Sequence, residues 1–456
     1  MNHFARRLGT VAVVAVMAAP VAALPSTTAS ASVPAISAAA FGMHYLNTGH
    51  AYPPLAFATA RIWDMGVDWR NLQPSAPQYT YDPLGISPPQ MTSDGYDQNA
   101  FARLDSIVQN YANRHVDPIL TMGITPDWAA DTGPNCHHVV NGKDWGIQTC
   151  APVASVPNWG DPWAQYVTKL AQRYQGKVHY FELWNEPNLH LCYNDSVTTL
   201  ARMQQTAYNI LHSYGEQLLS PSFPIDIYDG HGGYRWMDSF LQQPGGKAFD
   251  VMNLHLYPSD SAVKGGYGPE WSINTALAGA RKVMANRGVN RPIWDTEHNV
   301  GRAPAKGTVQ GEGAAGAAAV ARTFILNNEN HIARTYWYAA DDRSWGGTWL
   351  ENKYFTARSY AGNAYAAVHN LLVGKAALGC SRVTVGTNKW KYTCKFGTTT
   401  GHKTLLAIWT TGASYTYHAP AGTKSWYTVT GARHYASKGK AFTITHTPIY
   451  VAGSFA

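Results

Sequence analysis

Read for the spacing of its apolar residues, the chain divides near residue 372. From Phe41 to Leu372, short apolar runs alternate with longer stretches whose apolar positions recur every three to four residues. Runs of strand length set between helical periods predict parallel strands joined by crossover helices. The predicted strands are Phe41–Leu46, Ala60–Trp63, Pro118–Gly123, His179–Glu186, Ile225–Gly230, Val251–His255, Pro292–Glu297 and Thr335–Tyr338. Helical spacing marks Asn99–Tyr111, Asp161–Tyr174, Val197–Ser213, Ile273–Ala285 and Gly313–Leu326, with Val197–Ser213 the clearest. Eight strands alternating with helices imply an α/β fold, a (β/α)8 TIM barrel.

After Leu372 the period changes. Runs at 389–396, 403–411, 414–419, 425–430 and 441–451 are short, rich in β-branched and aromatic residues, and separated by glycine-rich turns. They predict a small antiparallel β-sandwich module. The other end reads as a secretory signal. Arg6 and Arg7 precede an uncharged apolar run, Val11 to Ala23, of 13 residues. That is short of the ~20 residues a membrane span needs, and Ala29-Ser30-Ala31 supplies a cleavage site. The expected organisation is a signal peptide over 1–31, a flexible lead-in over 32–40, the barrel over 41–372 and the module over 373–456. A secreted chain that does not span a membrane follows.

The cysteines fit that compartment. Five are present, and Cys136 with Cys150 and Cys380 with Cys394 make the expected pairs, leaving Cys192. Other pairings among Cys136, Cys150 and Cys192 stay open. The spacings do not suit paired zinc ligands. Charge sharpens the domain boundary. Residues 373–456 hold ten lysines and arginines and no acidic residue, whereas the whole chain carries a formal charge of +7. This asymmetry suggests an anionic cell-wall polymer or polysaccharide at the module. Secretion argues against nucleic acid. A solvated surface that uses lysine against edge-to-edge association is the competing reading.

Two strand ends carry the candidate chemistry. Phe181-Glu182-Leu183-Trp184-Asn185-Glu186-Pro187-Asn188 ends an apolar strand on a glutamate, and so does Pro292-Ile293-Trp294-Asp295-Thr296-Glu297-His298. In a barrel the C-terminal strand ends form the active face. A carboxyl beside tryptophan is partly desolvated, which raises its pKa and suits a general acid. Two such glutamates are the acid/base and nucleophile pair of retaining glycoside hydrolysis, without metal or organic cofactor. With a glycan as substrate, the 16 tryptophans and 27 tyrosines include candidate sugar platforms, although large rings also fill cores. Glu182, earlier in its strand, is expected to pair with an interior arginine. Asp295 is expected to support the scaffold.

The sequence resembles the clan-A glycoside hydrolases. WNEPN at Trp184–Asn188 is followed by IWDTEHN at Ile293–Asn299, with Ala60-Arg61-Ile62-Trp63-Asp64, Thr125-Pro126-Asp127-Trp128 and Asn253-Leu254-His255-Leu256-Tyr257 in clan order. The resemblance spans the barrel and is closest in flavour to family 39 and related bacterial endo-glycosidases. It implies Glu186 as acid/base and Glu297 as nucleophile. It implies that Asn185 bonds the sugar 2-hydroxyl, that Tyr257 holds the nucleophile with His255 beside it, and that Arg61 keeps Glu297 ionised. Trp337 would floor the sugar subsite, with Trp128 a further aromatic contact. His44, His255 and Arg61 have structural readings of equal standing, and Trp128, Trp337 and Trp345 have a rival reading as core or rim aromatics, Trp337 being the best candidate for a sugar platform. His298 and Asn299 depart from the clan pattern and put the wall near the nucleophile in question. A transglycosylase would need the same two glutamates, and a non-catalytic glycan-binding barrel is the remaining rival.

Overall fold

A computed structural model describes residues 32–47, 51–80, 90–131, 139–140, 143–144, 150–189, 192–225, 233–302 and 309–456. The signal segment, Cys136 and most of Ile225–Gly230 lie outside these residues. Nine strand segments form one all-parallel sheet: β1 (Phe41–His44), β2 (Thr59–Ile62), β3 (Asp117–Met122), β4 (Tyr180–Leu183), β5 (Gln217–Leu219), β6 (Phe223–Pro224), β7 (Met252–His255), β8 (Ile293–His298) and β9 (Ile332–Trp337). From β4 the order runs back through β3 and β2 to β1, which pairs with β9, then β8 and β7.

β5 and β6 are two halves of the fifth barrel strand. β5 pairs with β4, and β6 pairs with β7. Parallel bridges Asn185↔Ser222 and Leu219↔Val251 join them across the gap and close the ring. The strand predicted at Ile225–Gly230 is therefore misplaced: the barrel uses 217–224 instead. Pro221 and Pro224 remove backbone donors there and hide the strand signal. The Glu186 strand also stops early, at Leu183, because Trp184 adopts a left-handed backbone with φ 56°.

The helices follow their caps. Asp97 caps α1 (Gln98–Asn113), Asp161 caps α2 (Pro162–Tyr174) and Ser196 caps α3 (Val197–Ser213), each side chain accepting N–H bonds from the first turn. α4 (Gly233–Gln242), α5 (Ala278–Asn286), α6 (Ala314–Glu329) and α7 (Tyr360–Leu372) complete the outer layer. α4 and α7 were not anticipated from the spacing. Inside the ring, Ile119, Leu219, Val251, Trp294 and Tyr336 form an apolar plug. Arg334, paired with Asp117 at 2.9 Å, covers the plug's Trp294 from below, and polar side chains gather at the opposite mouth. No helix among the described residues is long and apolar enough to cross a membrane.

The C-terminal strands are β10 (Ala376–Gly386), β11 (Lys389–Gly397), β12 (Lys403–Thr410), β13 (Tyr415–His418), β14 (Thr423–Tyr427), β15 (Arg433–Tyr435), β16 (Ala441–Ile444) and β17 (Ile449–Phe455). Six form one antiparallel sheet, and β13 pairs with β16 as a second layer. β12 shows why this is a sandwich. Leu405, Ala407 and Trp409 join the barrel core, whereas Leu406 and Ile408 pack with Phe442 and Ile444 of the second layer. The expected bond between Cys380 and Cys394 is present, across directly opposed positions of β10 and β11. At the seam with the barrel, buried Glu270 accepts from Trp409 Nε1 at 2.7 Å and pairs with Arg322 of α6 at 3.1 Å.

Candidate active site

Four strained residues gather beyond the C-terminal ends of neighbouring barrel strands. Asp64, Ile124, Trp184 and Glu186 have φ of 60°, 59°, 56° and 45°. All four follow the C-terminal ends of β2, β3 and β4. Non-glycine residues rarely hold such angles, least of all a β-branched isoleucine. Strain of this kind persists where surrounding structure enforces it, commonly at functional sites. β8 adds a distortion: three residue steps from Asp295 to His298 match two on β9, a one-residue bulge. Bulges re-aim side chains, and this one contains Glu297.

Arg61 organises the mouth. Its Nε and Nη2 donate to the two oxygens of Glu182, both at 2.6 Å. Nη1 donates to Glu297 Oε2 at 2.8 Å and Nη2 to Asn185 Oδ1 at 2.7 Å. Thr121 Oγ1 also donates to Glu182, at 3.1 Å. Arg61 and Glu182 are fully buried. Glu182 thus pairs with the interior arginine, as its position in the strand suggests.

Glu186 and Glu297 face one another across His255. The His255 Nδ1 lies 2.8 Å from Glu186 Oε1 and 3.9 Å from Glu297 Oε2. One oxygen of each carboxyl lies within 4.8 Å of the other. Tyr257 OH donates to Glu297 Oε1 at 2.9 Å. Burial pushes the carboxyls of both Glu186 and Glu297 up to about 7. Burial also lowers His255 to about 4, so its imidazole is neutral at neutral pH. The surroundings separate the two carboxyls. Glu297 receives hydrogen bonds from a guanidinium and a phenol, which favour its ionised form. Glu186 meets only the neutral imidazole among the described side chains, a setting that favours its protonated form over that of Glu297.

The remaining candidates sort clearly. Trp337 does not floor a sugar subsite: it is fully buried and stacks on Phe324 of α6. Side chains alternate along β9, Tyr336 joining the apolar plug and Trp337 the helix layer. Tyr338, next in line, reaches Asp64 Oδ2 at 2.9 Å. Trp128 is partly buried and donates to the Gln73 carbonyl at 2.9 Å. Trp345 is 70% exposed. His44 is buried with Nε2 2.8 Å from the Thr296 carbonyl. Asp295 accepts from the Leu256 N–H and contacts His298 Nδ1 at 2.8 Å, a scaffold role. Asn299 bonds the Tyr338 and Thr348 carbonyls, so His298 and Asn299 brace the wall rather than face substrate. Asp64, Tyr338 and Cys192 border the site without having been site candidates from sequence. The Cys192 thiol, raised by burial, lies 3.9 Å from Asn185 Nδ2.

Glu186, His255 and Glu297 together offer three atoms that could grip a cation. The guanidinium of Arg61 against Glu297 opposes a dication there, at roughly 4 kcal/mol per unit charge pair 4 Å apart. The family model for a glycosyl hydrolase catalytic core matches residues 138–365, half of the chain, and includes both glutamates. The chain belongs to this glycosyl hydrolase family. Solved structures agree on the fold of this glycoside hydrolase. A family 39 glycoside hydrolase from Bacteroides cellulosilyticus WH2 superposes with a TM-score of 0.61 at 16% identity, covering 92% of this chain and 83% of that one. A family 30 endoxylanase from Clostridium papyrosolvens gives 0.52 at 12% identity, covering 93% and 98%. A family 30 subfamily 8 xylanase from Clostridium acetobutylicum gives 0.51 at 13% identity, with the same coverage. A search of curated proteins returned no match.

Proposed function

We propose that this glycoside hydrolase acts with retention of anomeric configuration, Glu297 serving as nucleophile and Glu186 as acid/base. The approach of the two carboxyls to within 4.8 Å carries the reading. Retaining pairs lie ~5–5.5 Å apart, whereas inverting pairs need ~6.5–9.5 Å to admit a water. Glu297 Oε attacks the anomeric carbon while the Glu186 proton passes to the leaving oxygen. The bond to the leaving group breaks and a glycosyl ester forms on Glu297. Glu186, now ionised, takes a proton from water, whose oxygen displaces Glu297. His255 stays neutral throughout and gives Glu186 a partner in either state. Asn185, anchored by Arg61, is placed to bond the sugar 2-hydroxyl. NMR of the first product formed should show the substrate's own anomer. Inverted product would sink the proposal, and a larger glycan in place of free sugar would indicate transglycosylation.

The pH profile carries a second test. Turnover needs Glu186 protonated and Glu297 ionised, so the active form is the singly protonated pair. As pH rises through about 7, Glu186 loses its proton and kcat/KM should fall about tenfold per unit. A Glu186→Gln variant should lack this alkaline limb. A limb unchanged in that variant would assign it to another group.

The same reading places the enzyme outside the cell, on the strength of its N-terminal segment, and gives the module an anionic polysaccharide or wall polymer as partner. Alternation along β11 supports the latter. Lys389, Lys391 and Lys395 share one face, and Tyr392, Cys394 and Phe396 the opposite, buried one. Changing the three lysines to serine in the full chain should weaken retention on an anionic polysaccharide column at low salt by at least about tenfold. Equal retention would leave the lysines as a solvated face.

A further inference from the structure

Beside the catalytic pair lies a recess that the mechanism does not use. A small cavity of about 30 Å³, room for a single hydroxyl or water, sits where β2 and β3 end, lined by Trp63, Asp64, Asp68, Thr121 and Ile124 among others. Two of its lining residues, Asp64 and Ile124, hold strained left-handed backbone. The Asp64 side chain is exposed, yet its carboxyl is raised by desolvation. A group that water reaches but that has lost much of its hydration lies in a cleft. Its charge acts on both Glu186 and Glu297, so the recess adjoins the reacting centre. Tyr338 OH donates to Asp64 Oδ2 at 2.9 Å and leaves Oδ1 as an acceptor. Trp63, also partly exposed, offers a flat apolar face next to that acceptor.

We propose that Asp64 is a substrate-binding residue that accepts hydrogen bonds from hydroxyl groups of the sugar beside the scissile bond, and that this site therefore takes neutral glycans and disfavours glycuronides. The inference rests on the two-glutamate reading above and adds the substrate class. Arg61 cannot serve a uronate in place of Asp64. It is fully buried and already donates to Glu182, Glu297 and Asn185. A sugar carboxylate brought to the edge of the recess would instead meet Asp64, with Asp68 and Asp342 close enough to act on the same carboxyl.

The test compares neutral xylo- and gluco-oligosaccharides with oligogalacturonides, using wild type, Asp64→Ala, Asp64→Asn and Tyr338→Phe. A charge-assisted hydrogen bond is worth roughly 1.5–3 kcal/mol, so Asp64→Ala should lower kcat/KM on the neutral substrate about 10- to 150-fold. Tyr338→Phe keeps the acceptor and should lose far less. Asp64→Asn should narrow the preference for neutral over uronate substrates. If Asp64 merely holds Tyr338, the Ala and Phe variants will fall equally and the proposal fails. Cleavage of uronides alone would overturn the Asp64 assignment and leave the catalytic pair standing. Wild-type turnover by Glu297→Gln would remove the underlying reading, and a panel left wholly uncleaved counts against both.

Discussion

Replacing Glu297 with glutamine is expected to lower kcat by on the order of 10⁴-fold or more, about 5 kcal/mol of transition-state stabilisation. The amide has the carboxyl's shape but cannot form the glycosyl ester. Its carbonyl still accepts from Arg61, which stands 2.8 Å from Glu297 Oε2, so glycan binding should change little. Glu186→Gln should behave differently. Loss of a general acid costs roughly 10²–10⁴-fold, but only where the leaving group needs a proton. An aryl glycoside whose phenol departs unaided should retain much of its first-step rate with that variant. Single-turnover kinetics on a natural glycan and an activated aryl glycoside separate the two roles. Equal losses on both substrates with Glu186→Gln would deny it the acid's part.

Arg61→Met is expected to have the largest effect on stability, because it leaves Glu182 buried without its cation. Glu182 would keep one hydrogen bond, from Thr121 at 3.1 Å. Breaking a buried ion pair on one side typically costs about 3–5 kcal/mol. Urea unfolding should register that loss as a lower midpoint at unchanged slope. The double variant Arg61→Met with Glu182→Gln removes both charges and should recover much of the stability. It should not recover turnover, since Glu297 and Asn185 still lack their donor. Recovery of both would show that Arg61 serves only Glu182.

The motifs at Trp184–Asn188 and Ile293–Asn299 were legible because a strand ending in a glutamate has few uses other than chemistry. The helix Val197–Ser213 was legible to the residue, since Ser196 caps it and its apolar stripe is continuous. Failures came where backbone geometry overrode side-chain pattern. The fifth strand was hidden by Pro221 and Pro224. Trp337 was assigned to the wrong side because period two runs from Tyr336, which points inward, and only the sheet establishes that parity. Asp64 stood inside a quoted motif but carried no signal of its own: its importance lies in a recess built by two strand ends and Tyr338, 274 positions away.

The buried carboxylate at the barrel–module seam bears on how this enzyme can be engineered. Glu270 depends on Trp409 for one donor, and Val429 of the module closes a seam of alanines from α6 and α7. A chain shortened at Leu372 would lose the Trp409 donor to Glu270 and open the alanine stripe to water. A different module joined to this barrel would have to supply its own donor to Glu270 and an apolar residue to cover the alanines. A module that leaves those alanines uncovered would give a protein prone to aggregate through that stripe.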